Sequence, residues 1–173
     1  MQAITVRAET ADDFKAIDVV HLSAFEGDDE VGFIDSLRNT SGYIPELSLV
    51  AEFNGRIVGH ILLTRICFQQ GSKSVDILAL APMAVVPSQS HRGIGSELVK
   101  TAIEEAKKQG YTAIAVIGHP EFYQRLGFKL AEDLKVGINL SIDQDLVTVM
   151  ELEQGALGDG GNLIYSSQFS QVY

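Results

Sequence analysis

The sequence predicts an α/β protein, a single domain built on one mixed β-sheet, and three observations support this class. Three strand-like segments follow one another in the first half of the chain, separated by turn sequences at Asn54-Gly55 and at residues 69–72. An amphipathic helix is then predicted over residues 93–109, and a continuously apolar strand over 111–117. Strands joined by tight turns pair antiparallel, whereas a strand reached through a helix pairs parallel, so the sheet must contain both arrangements.

The first 40 residues are predicted to form an edge strand and two helices. Residues 4–8 alternate as a short strand, and Thr10 is suited to cap a helix whose first turn contains Asp12 and Asp13. The inward stripe of this helix consists of Phe14, Ile17, Val20, His21 and Ala24. The acidic run 26–30 ends the helix, and a second short helix follows. Its apolar side consists of Val31, Phe33, Ile34 and Leu37.

The meander is predicted as strands over residues 47–53, 56–68 and 75–86. The dipeptide Asn54-Gly55 between the first two strands favours a type I′ hairpin turn, because both central residues of that turn need positive φ. Pro82 has no backbone N–H to donate, so it predicts a bulge or a local loss of pairing in the third strand.

Glycine and proline also mark the elements in the second half of the chain. Gly110 is placed to end the amphipathic helix, and Pro120 opens a short helix that stops at Gly127. The last predicted elements are a hairpin over residues 128–136 and 147–152, a flexible loop over 155–162 and a tail over 165–173 without a recognisable functional pattern.

Composition excludes several classes of function. The 173 residues carry a formal net charge of −10, whereas a nucleic-acid partner requires a basic surface. Cys67 is the single cysteine, which excludes an internal disulfide and a thiolate metal cluster, and no metal is predicted. The sequence has neither a cationic leader nor an apolar run of membrane-spanning length, so we predict a cytoplasmic protein with no membrane partner.

The junction over residues 87–96 is the strongest functional feature of the sequence. A strand ends there, a short turn follows and a helix begins, so unpaired backbone N–H groups and the positive end of the helix dipole converge on one spot. Gly93 and Gly95 have no side chain that would keep the backbone away from phosphate oxygens. The junction therefore predicts a phosphate or pyrophosphate site, and the alternative is a plain strand-to-helix connection.

A second motif lies downstream of this turn, in the order expected of one enzyme family. A meander strand, Pro87, the Gly-x-Gly turn, a helix and a buried strand precede Glu121-Phe-Tyr-Gln-Arg-Leu-Gly-Phe128. This order resembles the GCN5-related N-acetyltransferase (GNAT) family, and residues 118–128 and 152–157 are similar to its YhbS-like branch. The resemblance runs from residue 4 to about residue 157.

The resemblance implies a fold and a division of the chain. The fold is the acyl-CoA N-acyltransferase (GNAT) fold, a mixed central sheet with an antiparallel meander, a splayed pair of parallel central strands and flanking helices. Residues 1–157 would form the N-acetyltransferase domain. Residues 158–173 would be a tail that packs on this domain or extends from it.

The resemblance also implies acetyl-CoA as co-substrate, without a metal. The backbone of the turn would cradle the pyrophosphate through Ser90, His91, Arg92, Gly93, Ile94, Gly95 and Ser96. The strand end formed by Met83, Ala84 and Val85 would pair with the pantetheine arm and supply an N–H group to the developing oxyanion. Ser90 departs from the family, which usually has Gln or Arg there, so His91, Arg92 and the backbone must contribute more.

Two residues are candidates for the proton transfers of the reaction. Tyr123 matches the family's general acid, which protonates the departing thiolate, although helical spacing alone would make it a core aromatic. His119 is the candidate general base, because it follows a buried strand and has a reference pKa of about 6.5. The alternative is a histidine that fixes the turn before Pro120. The family's Asn between this strand and the tyrosine has no clear counterpart here, and His119 is its nearest substitute.

The predicted function is direct transfer of the acetyl group of acetyl-CoA to an amine acceptor that the sequence does not identify. In the family, the loop between the first two helices borders the acceptor site. This makes the acidic run a candidate for recognition, although a charge run is more often a solvated loop: Glu26, Asp28, Asp29 and Glu30. Family members often dimerise, which adds a homodimer to the expectations. The alternative function is a non-catalytic acyl-CoA-binding or regulatory module.

Overall fold

The computed structural model describes residues 4–90 and 92–173, which form nine strands and four α-helices. The strands are β1 (Thr5–Ala8), β2 (Tyr43–Phe53), β3 (Arg56–Gln70), β4 (Lys73–Val85), β5 (Ala113–Ile117), β6 (Lys129–Leu130), β7 (Val136–Ile138), β8 (Val147–Glu151) and β9 (Gly161–Ile164). The helices are α1 (Phe14–Ala24), α2 (Asp29–Arg38), α3 (Ile94–Lys108) and α4 (Pro120–Arg125).

The described strands form one sheet. Its main path is β1-β2-β3-β4-β5-β8-β6, and β9 pairs with both β3 and β7. Within β1 to β4, each strand pairs antiparallel with the next, and the predicted Asn54-Gly55 turn joins β2 to β3. The following pair, β4 and β5, is parallel. The predicted fold class, an antiparallel meander that leads through a helix into a parallel central pair, is confirmed.

Helices cover both faces of the sheet. On one face, which we call the α3 face, α3 packs with a buried apolar stripe, as expected of the predicted amphipathic helix: Ile94, Leu98, Val99, Ala102, Ile103 and Ala106. On the other, the α1/α2 face, the two N-terminal helices pack together with a 3₁₀ helix, Ser167–Gln171. Phe33 of α2 and Phe169 of the 3₁₀ helix are both fully buried, with ring centroids 5.0 Å apart.

The predicted final hairpin is only partly correct. Strand β6 pairs with β8 through two residue pairs, Lys129–Val149 and Leu130–Thr148. A 3₁₀ helix, Ala131–Leu134, follows directly, and Lys135 has the left-handed φ of 59°. A residue in this conformation cannot continue an extended strand. The chain therefore turns away from β8, and β7 pairs with β9 instead.

The end of the chain contributes to the core. Strand β9 begins at Gly161, so the predicted loop over 155–162 is wrong for residues 161 and 162. Tyr165, Phe169 and Tyr173 follow at intervals of four, and Phe169 contacts both tyrosine rings, at centroid distances of 4.7 and 6.3 Å. These aromatic contacts fix residues 165–173 against the α1/α2 face.

A buried charged network joins the loop after β1 to α2 and β2. The Glu9 carboxylate accepts two hydrogen bonds of 2.9 Å from the Arg38 guanidinium and one of 2.7 Å from the Tyr43 hydroxyl. The Ser48 hydroxyl also donates to Glu9. Burial alone would raise the pKa of Glu9, but hydrogen bonds from His60, Arg38 and its other neighbours outweigh burial and hold this pKa well below its usual range.

Two buried histidines extend the Glu9 network towards α1. His60 Nε2 lies 3.1 Å from Glu9 Oε1, and His60 Nδ1 lies 2.9 Å from His21 Nε2. The distances fit two neutral rings, with the N–H of His21 donating to His60 and the N–H of His60 donating to Glu9. Burial lowers the pKa of His60, and burial together with the nearby His60 and Arg38 lowers the pKa of His21 to about 3. Both histidines are therefore neutral at pH 7.

Candidate active site

The central parallel strands separate near their carboxyl ends. Strands β4 and β5 pair over three residue pairs, the last of which is Leu80–Val116. Just beyond, between Leu80 and Met83, β4 contains one residue more than the facing part of β3. This bulge includes Pro82, as predicted. From the bulge onward β4 still pairs with β3 but no longer with β5, which leaves a gap in the sheet.

A cavity of about 670 Å³ lies at this gap and has walls on both faces of the sheet. Its walls on the α3 face include Met83, Val85, Ile94, Phe122 and Tyr123. Its walls on the α1/α2 face include Phe25, Glu30, Phe33, Val172 and Tyr173. The volume falls in the range of small-molecule binding sites, and the lining is predominantly apolar with a few polar groups.

The start of α3 presents backbone N–H groups to the cavity. The first hydrogen bond of the helix runs from the Glu97 N–H to the Gly93 carbonyl, at 3.0 Å. The N–H groups of Ile94, Gly95 and Ser96 precede this bond and have no partner within the helix. All three residues line the cavity, together with Gly93, whose φ of 76° is left-handed. Donors and the positive end of the dipole thus meet at a place suited to an anion.

The first residues of the predicted cradle are placed differently. Ser90 lines the cavity, but its N–H and its hydroxyl both donate to the Pro87 carbonyl, at 3.2 and 2.8 Å. Arg92 is exposed, and its guanidinium lies 5.4 Å from the centre of the Phe53 ring. His91 lies outside the described residues. The Ser90 N–H is therefore already bonded within the turn, whereas the N–H groups at the start of α3 are available.

The end of β4 directs alternate backbone groups into the gap. The Val86 N–H donates to the Val58 carbonyl at 2.9 Å, so Val86 and, two residues earlier, Ala84 turn their backbone groups towards β3. Alternate residues of an antiparallel strand face opposite sides, so Met83 and Val85 turn theirs towards the gap. The structure places Met83 and Val85 in the cavity wall, whereas Ala84 is buried outside it.

Tyr123 belongs both to the core and to the cavity wall. Only 3% of its surface is exposed, and its ring makes edge contacts with Phe122 and Phe128, at centroid distances of 5.0 and 5.4 Å. No hydrogen bond to its hydroxyl is present among the described residues. Burial, and to a smaller extent the nearby Tyr173, raises the pKa of Tyr123. The phenol therefore stays protonated at neutral pH and can act as a proton donor.

His119 lies at the rim of the same cavity. It precedes α4 in a left-handed conformation with a φ of 47°, and its side chain is exposed. The structure thus brings His119, Tyr123 and the start of α3 to one cavity. Of the predicted site residues that it describes, it leaves Ala84 and Arg92 outside the cavity walls.

Sequence reasoning missed part of the α1/α2 wall. Phe25 and Phe33 had no assigned role in the site, and Val172 and Tyr173 lie in the tail that showed no functional pattern. The repeat of aromatic residues at positions 165, 169 and 173 could have indicated that the tail is packed. The acidic run separates into two parts: Glu26, Asp28 and Asp29 are exposed, whereas Glu30 lines the cavity.

The described residues contain no group of three or more His, Cys, Asp and Glu side chains that could hold a metal ion. In the same part of the chain, no helix is both long enough and apolar enough to cross a membrane.

Parallel strands that separate over the start of a helix, with a buried tyrosine at the gap, match the acyl-CoA N-acyltransferase (GNAT) fold that the sequence resemblance implies. The chain belongs to the acetyltransferase (GNAT) family, whose family model matches residues 14–128. The predicted family and the predicted enzyme class, an N-acetyltransferase that uses acetyl-CoA as co-substrate, are confirmed.

Relatives in sequence and in structure agree with this assignment. The uncharacterized N-acetyltransferase YjhQ of Escherichia coli (strain K12) is 36% identical over 126 residues, which are 73% of this chain and 67% of that protein. YhbS of the same strain is 29% identical over 127 residues, 73% of this chain and 74% of its own length.

The fold is also similar to solved structures. The structure of YhbS from Escherichia coli in complex with CoA superimposes with a TM-score of 0.91 and 24% identity, over 100% of this chain and 95% of that one. A GNAT family acetyltransferase from Brucella melitensis in complex with acetyl-CoA gives a TM-score of 0.77 and 22% identity, over 98% and 99% of the two chains.

Proposed function

We propose that the protein binds acetyl-CoA across the gap between β4 and β5 and transfers its acetyl group directly to an amine. The observation that carries this proposal is the cavity itself, which joins the free N–H groups of α3, the end of β4 and Tyr123 in one space. The similar folds of YhbS in complex with CoA and of the Brucella protein in complex with acetyl-CoA support it.

The backbone would hold the acetyl donor. The N–H groups of Ile94, Gly95 and Ser96 would receive the pyrophosphate, with no need for the long side-chain donor that Ser90 lacks. Met83 and Val85 would pair with the extended pantetheine arm as a strand would. One of their N–H groups would donate to the carbonyl oxygen of the acetyl group as negative charge develops on it.

Side chains would move the protons. An amine attacks a thioester only after it has lost its proton, because an alkylammonium with a pKa of about 10.4 has no free lone pair. His119, at the exposed rim, is the proposed acceptor of that proton. Tyr123 is the proposed donor to the departing thiolate, because it lines the cavity and its hydroxyl is protonated at neutral pH.

Tyr123→Phe tests this assignment with the smallest possible change. The phenylalanine ring keeps the contacts with Phe122 and Phe128, so the fold should be retained. We expect kcat to fall by about 10²–10⁴-fold, the range of general acid–base catalysis. The dissociation constant of acetyl-CoA, measured by calorimetry, should change little. The assay is thiol release from acetyl-CoA over a panel of amines.

Tyr165→Phe is the matched control, because Tyr165 is also buried and its hydroxyl has no hydrogen-bond partner among the described residues. It lies outside the cavity walls, so turnover should equal that of the unmodified protein. If Tyr123→Phe also kept full turnover, Tyr123 would have no part in proton transfer. Binding of acetyl-CoA without thiol release for any amine would contradict the proposed activity itself.

A homodimer, a cytoplasmic location and a domain boundary at residue 157 stay predictions. Size-exclusion chromatography with light scattering at several protein concentrations measures the first, and a truncation after Leu157 tests the last. Because Phe169 is fully buried, we expect this truncation to destabilise the domain.

A further inference from the structure

The α1/α2 wall of the cavity contains one carboxylate. Glu30 lines the cavity, and its Oε2 atom is buried without a hydrogen-bond partner among the described residues. The neighbouring acidic residues Asp28 and Asp29 are exposed and are not part of the wall. A buried carboxylate oxygen without a partner is unfavourable, and a cationic ligand in the cavity would supply that partner.

The surface around Glu30 is aromatic. Phe25, Phe33 and Tyr173 line the same side of the cavity, and the Phe33 and Tyr173 rings meet edge to face, with centroids 6.4 Å apart. Desolvation of the phenol, and next the charge of Glu30, raise the pKa of Tyr173 to about 12. Aromatic rings beside a carboxylate suit a ligand that has a cationic head and an apolar body.

We propose that the acceptor is a small primary amine with an aromatic or other apolar body, whose ammonium group binds Glu30 while the body packs against Phe25, Phe33 and Tyr173. The proposal rests on the proposed acetyl transfer and adds the chemical class of the acceptor to it. Glu30 would select the amine in its protonated form, which predominates near pH 7, and the ammonium would pass its proton to His119 before attack. Glu30 is thus an acceptor-binding residue.

The net charge of the protein agrees with a cationic acceptor. The formal charge of −10 favours the approach of small cations over anions. It does not select among amines, because the exposed acidic residues face solvent. Selection is assigned to the α1/α2 wall of the cavity, where the Glu30 carboxylate and three aromatic rings set the requirement for both a charge and an apolar body.

The test compares Glu30→Gln with the unmodified protein on 2-phenylethylamine. Removal of a charged hydrogen-bond partner should raise KM for this amine by about 10–100-fold. The dissociation constant of acetyl-CoA, measured by calorimetry, should be unchanged, which also shows that the variant is folded. Asp29→Asn makes the same kind of charge change on the exposed neighbouring residue and should leave KM unchanged.

O-benzylhydroxylamine shows whether the effect depends on charge, because it has a similar shape but is uncharged at neutral pH. Glu30→Gln should leave KM for this amine within about 2-fold. Equal losses for both amines would mean that Glu30 only shapes the wall, and an unchanged KM for 2-phenylethylamine would remove Glu30 from acceptor binding.

Two other amines test the apolar body and separate this proposal from the proposed function. Spermidine carries charge without an aromatic body, and a short peptide presents an N-terminal amine on a polar chain. A higher kcat/KM for either of them than for 2-phenylethylamine would overturn the proposed acceptor class but leave acetyl transfer intact. Thiol release with none of the amines would overturn both the proposed acetyl transfer and the acceptor class that rests on it.

Discussion

The two faces of the sheet contribute to the cavity in different ways. On the α3 face, the groups assigned to the acetyl donor are backbone N–H groups, of Ile94, Gly95 and Ser96 and of Met83 or Val85. On the α1/α2 face, the Glu30 side chain lies in the cavity wall, and the Glu9 network is bonded to the helix that carries Glu30. The donor half of the site thus depends on backbone geometry, and the acceptor half on buried charge.

The Glu9 network is linked to the cavity through both N-terminal helices. Arg38 ends α2, the helix that contains Glu30 and Phe33, and it is bonded to Glu9 through both carboxylate oxygens. His21 of α1 stacks on Phe25, with ring centroids 5.9 Å apart. The network therefore stabilises the two helices that form the acceptor wall. If this comparison is correct, changes in charge and pH should alter stability through the α1/α2 face. Changes to the backbone should alter it through the α3 face.

The largest effect should come from removing one partner of the buried ion pair. Arg38→Met keeps the apolar stem of the side chain but leaves the Glu9 carboxylate buried without its cation. We expect the free energy of unfolding, from urea titrations at pH 7, to fall by about 3–5 kcal/mol. Replacing both partners, in Glu9→Gln/Arg38→Met, should restore part of this loss because no unpaired charge remains.

Arg7→Met is the control for the loss of an arginine. Arg7 bonds Asp13 and Glu52, but 38% of its side chain is exposed, so the expected loss is below about 1 kcal/mol. An Arg38→Met variant as stable as Arg7→Met would mean that the Glu9 network contributes little to the α1/α2 face.

A smaller effect should follow from pH. The folded protein keeps His21 neutral, with its pKa lowered to about 3, whereas the unfolded chain protonates it below about 6.5. The unfolded state therefore binds more protons between these values, and stability falls as the pH falls. His60, whose pKa is also lowered, acts in the same direction, and Glu9 adds to the loss only below its ordinary pKa.

Lowering the pH from 7 to 5 should cost about 2 kcal/mol from His21 alone. His21→Gln removes the titrating ring but retains an N–H that can donate to His60. Urea titrations at several pH values should give a shallower pH dependence for this variant. Parallel curves for the variant and the unmodified protein would show that His21 is not the group that titrates.

The same difference between the faces explains what the sequence could predict. The α3 face depends on Gly93, Gly95, Pro82 and an amphipathic helix, and these features are contiguous and have strong local preferences. The turn and the bulge were predicted for that reason, whereas the splayed pair of strands was implied by the family resemblance. His91 and Arg92 were assigned to the cradle through the family resemblance, but the Arg92 guanidinium lies against Phe53, and Arg92 is not part of the cavity wall.

The acceptor wall could not be predicted in the same way. Phe25, Glu30, Phe33 and Tyr173 come from two helices and from the end of the chain, and only the packing of residues 165–173 on α2 brings them together. The left-handed turn at Lys135 that redirects the chain towards β9 is similarly unmarked, because lysine has no preference for that conformation. Long-range packing decides these contacts, and periodicity does not report it.

The smallest effect should be found at the two glycines of the α3 face, where we expect changes of opposite sign. Gly93 has a φ of 76°, which an alanine adopts only with strain, so Gly93→Ala should lower the free energy of unfolding by about 1 kcal/mol. Gly95 is helical, and an added Cβ would lie 3.5 Å from Met83 and 3.6 Å from Phe122, which is ordinary contact. Gly95→Ala should therefore raise stability by up to about 1 kcal/mol.

Both effects arise from the backbone and involve no titrating group, so the difference between the two glycine variants should be the same at pH 5 and at pH 7. Urea titrations at the two pH values measure this difference directly. A difference that changed with pH would mean that the α3 face is coupled to the buried histidines of the opposite face. In that case the backbone half and the charged half of the site would respond as one unit, and the contrast between them would not hold.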